Sequence, residues 1–140
     1  MFNSEATIRV RYQETDQMGI AYHSNYFIWF EVGRTEYFRQ LGLTYKEFEK
    51  NNIYLPVIKV QAEFKNPSYY DDVLRVITWI EYLHEVRLSF SYQIRREEEL
   101  LAEGTTGHAF VNQQGKPVIL KKKNPFLWKR LLEITGNDEK

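Results

Sequence analysis

The chain has 140 residues, near the commonest size for one domain, so a single domain over residues 1–140 is expected. Lysine plus arginine and aspartate plus glutamate each number 19, so the formal charge is zero and the basic surplus usual in nucleic-acid binders is missing. Cysteine is absent, which excludes a disulfide frame, a thiolate zinc site and a cysteine nucleophile, while 16% aromatic residues suit a filled core or an aromatic-lined pocket.

The opening stretch, MFNSEATIRV, lacks the basic start and apolar run of a signal peptide, and nowhere do about 18 apolar residues run together. A soluble, cytoplasmic protein without membrane insertion is expected. Thr7 to Tyr12 alternates, with Ile8, Val10 and Tyr12 on one side and Thr7, Arg9 and Arg11 on the other, as in a half-buried strand. Gln13 to Ser24 breaks the pattern around Gly19 and reads as a loop. Asn25 to Leu41 is predicted as the main helix, roughly 25 Å long. Ser24 or Asn25 can cap its start, and Gly42 stands where a left-handed C-terminal cap is expected. Tyr26, Phe30, Gly33, Tyr37 and Leu41 keep helical spacing. Phe27, Ile28, Trp29 and Val32 make the first half apolar almost all round, so burial on most sides is expected. Thr44 to Asn51 adds a short amphipathic turn.

Further strands are predicted over Val57 to Phe64, Val73 to Tyr82, Val86 to Arg95 and Leu101 to Val111. Asn66-Pro67-Ser68 with Asp71-Asp72, and Leu83-His84-Glu85, mark the turns between them. A short finish at Val118 to Leu120 and a terminal helix over Pro125 to Ile134 complete the chain. Short connections favour antiparallel neighbours. The order predicts an α+β fold, an antiparallel five-stranded sheet curled around one long central helix. Its edge strands invite pairing with a second copy, so a homodimer or homotetramer is expected.

The loop before the main helix holds the densest polar set: Glu14, Thr15, Asp16, Gly19, Tyr22, His23, Ser24 and Asn25. The first N–H groups of a helix lack intrahelical partners and attract anions and developing oxyanions. A carboxylate beside them supplies the other half of an acyl-transfer site: the amides polarise a carbonyl, and the carboxylate attacks it or activates water. On local chemistry alone, Asp16 reads first as a turn-forming or helix-capping aspartate.

The run from Arg11 through Glu14-Thr15-Asp16-Gln17-Met18-Gly19 and Tyr22-His23-Ser24-Asn25 to Tyr26 resembles the 4-hydroxybenzoyl-CoA thioesterase family of hot-dog-fold proteins. It is most similar to the bacterial short-chain acyl-CoA thioesterase branch related to the Tol–Pal-associated enzymes. Phe30 to Tyr37 and Phe64 to Asp72 extend the similarity over nearly the whole chain; Ile119-Leu120-Lys121 stands where many relatives have proline. The resemblance implies a hot-dog fold and hydrolysis of an acyl-CoA substrate without a cofactor. It implies that Asp16 is catalytic, as base or nucleophile, and that the backbone N–H of His23 holds the thioester oxygen. Tyr22 and the His23 ring would shape the acyl and thioester end, with Gly19 and Ser24 as substrate-binding positions. Lys121 and Lys122 are candidates for the CoA phosphates, although charge runs are usually solvated surface.

Rival readings keep their place. Glu31 and Glu36 lie on the helix, where some hot-dog enzymes carry a catalytic carboxylate; their plain role is pairing with Arg34 or Arg39. His84 and His108 have no partner at metal-ligand spacing, so no metal site is expected. Asp16 with His23 also suits a hydratase or dehydratase acting on an acyl thioester, and a helix-on-sheet binding module needs no catalysis at all.

Overall fold

The computed structural model describes residues 1–136. Strand β1 (Asn3–Arg9) leads through a 3-10 turn (Tyr12–Glu14) to helix α1 (Ser24–Gln40) and the short α2 (Tyr45–Lys50). Strands β2 (Val57–Phe64), β3 (Val73–Leu83), β4 (Arg87–Arg96) and β5 (Glu99–Ala109) follow, then α3 (Leu120–Lys123) and α4 (Pro125–Thr135). The strands form one five-stranded sheet in the order β1-β3-β4-β5-β2, antiparallel throughout. β1 and β2 are consecutive strands on opposite edges, and α1 is the connection that carries the chain between them.

Helix α1 packs on β1, β3 and β4. Tyr26, Trp29, Phe30, Gly33, Tyr37 and Phe38 form its buried stripe, meeting the inward row of Val76, Ile80, Leu88, Phe90, Tyr92 and Ile94. Phe30 stacks on Tyr92 with centroids 4.3 Å apart. Gly33 marks the closest approach of helix to sheet. A Cβ there would stand 2.5 Å from Thr78 Oγ1 and 2.8 Å from Val76 Cγ1. Contact this close offsets glycine's poor helix propensity, about 1 kcal/mol relative to alanine. Gly42 ends the helix as expected, at φ 74°. Its N–H donates to Arg39 O and that of Leu43 to Phe38 O, a Schellman closure.

Two expectations need correction. β1 ends at Arg9, and Tyr12 is 77% exposed instead of continuing the inward row. The cause is local: a Glu14 carboxylate oxygen accepts the Arg11 N–H at 2.7 Å and turns the chain out of the sheet. Nor is α1 buried on most sides, for Phe27, Ile28 and Val32 remain more than a third exposed. Strand β2 has the predicted bounds, yet both of its faces are open: Val57, Ile58, Val60 and Phe64 are between 41% and 56% exposed. As an edge strand, β2 offers both apolar side chains and unpaired backbone groups.

One polar chain is buried beneath the sheet. His108 Nδ1 lies 3.0 Å from Leu55 O, and since a carbonyl only accepts, that nitrogen carries the proton. Nε2 then accepts from the Thr106 hydroxyl at 2.8 Å, which accepts in turn from Tyr92 at 2.6 Å. Burial pushes His108 down to about 4, with Arg34 adding to the effect against the bond to Leu55.

Replacing Gly33 with valine is expected to overpack this contact and destabilise by on the order of 1–3 kcal/mol, read as a lower urea midpoint; an unchanged midpoint shows the contact can relax. A histidine with a depressed folded pKa contributes stability that is full above its unfolded pKa and lost as pH falls toward the folded one. Between pH 6.5 and about 4, wild type should therefore lose on the order of 3 kcal/mol that His108→Gln keeps. Urea unfolding across that range checks this, and parallel stability curves for the two proteins count against it.

Candidate active site

The loop between the 3-10 turn and α1 is a small hairpin. Tyr22 N–H donates to Glu14 O at 2.8 Å, Thr15 bridges to Ala21, and Asp16 N–H donates to Ile20 O at 2.9 Å. Gly19 closes the tip at φ 79°, its N–H on Asp16 O. The second leg is zipped to the β2–β3 connection, where Ala21 N–H donates to Ser68 O and Ile20 bridges to Tyr69. Fully buried Ser68 also meets the Tyr26 hydroxyl at 2.8 Å, tying that connection to the first turns of α1. Arg96 holds its far end through Asp72 at 2.7 Å.

Asp16 fills its plain role and keeps an oxygen in reserve. Oδ1 accepts the Met18 N–H at 2.8 Å, an Asx turn. No donor among the described residues meets Oδ2. The helix start is open as well. His23, not Ser24 or Asn25, occupies the cap position, with helical φ/ψ and no side-chain cap. Asn25 instead donates its side chain to Glu14 O and Tyr22 O. Among the described residues no acceptor meets the backbone N–H groups of His23 or Ser24. They carry the positive end of the α1 dipole without a partner.

Asp16 and His23 line one cavity of about 420 Å³ with Ile20, Ala21, Tyr26, Phe64, Lys65, Asn66 and Pro67. Phe64 sits edge-on to Tyr26 at 5.0 Å and to His23 at 6.3 Å. Tyr22 and Ser24 instead line a more open depression of about 610 Å³ to which Asp16 also contributes, although the Tyr22 ring lies 4.4 Å from that of His23. Gly19 shapes the turn and lines neither. Lys121 and Lys122 lie on α3, which the Leu120 N–H anchors to Glu85 O, and line neither space. Glu31 pairs with Arg34 at 4.0 Å and Glu36 with Arg39, both away from the cavity. His84 sits in the exposed β3–β4 turn, accepting the Val86 N–H. Sequence reasoning missed Phe64, Tyr26 and Pro67 as lining residues. Phe64 ends an alternating run just before a Lys-Asn-Pro turn, but no local signal says that this end meets the start of α1.

A carboxylate and the uncapped start of a helix thus line one cavity beside an antiparallel sheet. Residues 10–129 match the Thioesterase-like superfamily, and the chain belongs to it. The chain is 39% identical over 127 residues to YneP of Bacillus subtilis, named provisionally as an acyl-CoA thioesterase, covering 89% of this chain and 92% of YneP. It is 31% identical to the acyl-CoA thioesterase YbgC of Haemophilus influenzae, covering 82% of this chain and 86% of that one. The crystal structure of a DHNA-CoA thioesterase from Staphylococcus aureus superposes with a TM-score of 0.91 at 33% identity, covering 97% of this chain and 93% of that one.

Proposed function

We propose that the chain is an acyl-CoA thioesterase that hydrolyses a small acyl-CoA to the free acid and CoA, with Asp16 as general base or nucleophile. One observation carries this reading: Asp16, with Oδ2 unengaged, and His23, at an uncapped helix N-terminus, share a mostly apolar cavity of about 420 Å³. The His23 N–H, with that of Ser24 beside it, holds the thioester oxygen as negative charge builds on it. Asp16 takes a proton from the attacking water, or attacks the thioester carbon itself to give an anhydride that water then opens. In both routes the C–S bond breaks and CoA leaves as thiolate. The His23 ring, Tyr26 and Phe64 border the acyl end, Tyr22 shapes its approach, and Gly19 and Ser24 frame the loop. Lys121 and Lys122 are assigned to the CoA phosphates, outside the acyl cavity.

The same reading makes the protein one hot-dog domain over residues 1–140, with α1 as the central helix, in the short-chain branch related to the Tol–Pal-associated enzymes. A chain free of cysteine fits a reducing compartment, the cytoplasm, and no helix among the described residues is long and apolar enough to cross a membrane. The working unit is a homodimer, or a homotetramer built from it, joined along β2. Antiparallel pairing of two β2 edges covers Ile58 and Val60. It also sets the start of one strand beside the end of the other, at Phe64 and the cavity.

Release of free thiol from acetyl-, butyryl-, palmitoyl- and benzoyl-CoA tests the activity, since neither a hydratase nor a binding module liberates CoA-SH. Asp16→Asn keeps size and the Met18 contact and should lower turnover by roughly 10²–10⁴-fold, while Glu31→Gln and Glu36→Gln cost far less. Asp16→Asn retaining more than about a tenth of turnover, roughly 1.4 kcal/mol of barrier, rejects Asp16. Collapse in either helix variant with intact folding moves the site onto α1. For the assembly, Val60→Lys should yield a monomer by light scattering with activity lost; a fully active monomer rejects the β2 interface.

A further inference from the structure

Glu14 is a buried carboxylate, 5% exposed, that the proposed chemistry does not use. Its contacts reach every part of the site. Oε1 accepts the Arg11 N–H at 2.7 Å, where the chain leaves β1, and Oε2 accepts the Trp29 indole N–H at 3.3 Å, in the second turn of α1. The Arg11 guanidinium lies 3.5 Å from Oε2. The Glu14 backbone carbonyl accepts the Tyr22 N–H at 2.8 Å and the Asn25 side-chain N–H at 2.9 Å. Residue 14 is therefore the common anchor of the leg that carries Asp16, the leg that returns to His23, and the helix whose cap residue lines the cavity.

We propose that Glu14 is a positioning residue of the hydrolytic reaction: its carboxylate, held by Arg11 and Trp29, sets the placement of Asp16 relative to the N-terminus of α1. The inference rests on the thioesterase reading above. The physical stake is alignment, because an acyl-transfer site tolerates little displacement between the attacking oxygen and the donors that receive the oxyanion. The charge matters for a geometric reason. Both side-chain oxygens face N–H donors, so an amide of the same shape must turn its own NH₂ toward one of them. The longer bond, to Trp29, is the one that yields, and the strut between loop and helix opens.

The test measures kcat and KM on the best-hydrolysed member of the acyl-CoA panel, the pH profile of kcat/KM, and thermal unfolding, each per folded molecule. Glu14→Gln should lower kcat by about tenfold to 10²-fold with KM nearly unchanged and the acidic limb of the profile in place. Trp29→Phe, which removes the indole N–H, should lower kcat in the same way but less. The double variant should be no slower than Glu14→Gln, since the amide no longer confronts an N–H donor. Unchanged kcat in Glu14→Gln with a lower unfolding temperature makes Glu14 merely structural and overturns the proposal. A displaced acidic limb makes its charge act on the titration of Asp16 and also overturns it. If Glu14→Gln does not fold, Trp29→Phe decides, and unchanged kcat there overturns the proposal. Asp16→Asn runs in parallel: activity retained in that variant rejects the hydrolytic reading itself. An inactive Asp16→Asn beside a fully active Glu14→Gln rejects the positioning role alone.

Discussion

The close approach of α1 to the sheet at Gly33 is the constraint on which the rest of the molecule depends. With no side chain there, the helix backbone comes down onto Thr78 and Val76. Phe30 can then stack flat on Tyr92 while Tyr37 packs edge-on against Phe90. This contact fixes the height and direction of the helix. The position of its first turn follows, because a helix is stiff over this length. Tyr26 and Trp29, fixed in that stripe, then serve as the points to which Ser68 and Glu14 attach the surrounding loops.

The candidate site uses what the fold leaves unsatisfied. A helix with no side-chain cap forgoes roughly 1 kcal/mol that a serine or aspartate at the cap would supply. Here Asn25 turns back to hold the loop instead of covering the helix end, so the first N–H groups stay open. One Asp16 oxygen makes the turn that shapes the loop, and the other meets no donor among the described residues. In the proposed reaction, local stability is given up where an incoming oxyanion would restore it.

The same trade recurs on the outside of the molecule. Apolar residues on β2 and on the outer side of α1 stay exposed in one chain. Scattered apolar residues are ordinary on surfaces, and β2 sets Lys59, Glu63 and a register irregularity between Val57 and Lys59 among its apolar side chains, features that discourage indiscriminate edge pairing. The end of β2 borders the cavity through Phe64, so an assembly joined along this edge, as proposed, would reach the site.

Sequence by itself determined the elements. The bounds of β2, the start of α4 at Pro125, the helix stop at Gly42 and the inward row of β4 follow from periodicity and turn chemistry, which act over a few residues. The loop with Asp16 and His23 was legible too, through a motif and the generic chemistry of helix N-termini. The early end of β1 was not, because it depends on Glu14 competing for the Arg11 N–H. Nor was the exposed side of α1, because an apolar pattern does not say which of its residues the sheet will cover. Only tertiary structure decided that Phe64 and Pro67 close the cavity, that Ser68 braces Tyr26, and that Lys121 and Lys122 lie elsewhere. Those outcomes join residues far apart in the chain, 42 positions in the case of Tyr26 and Ser68. They are settled by how helix and sheet pack, a long-range fit that no local pattern encodes.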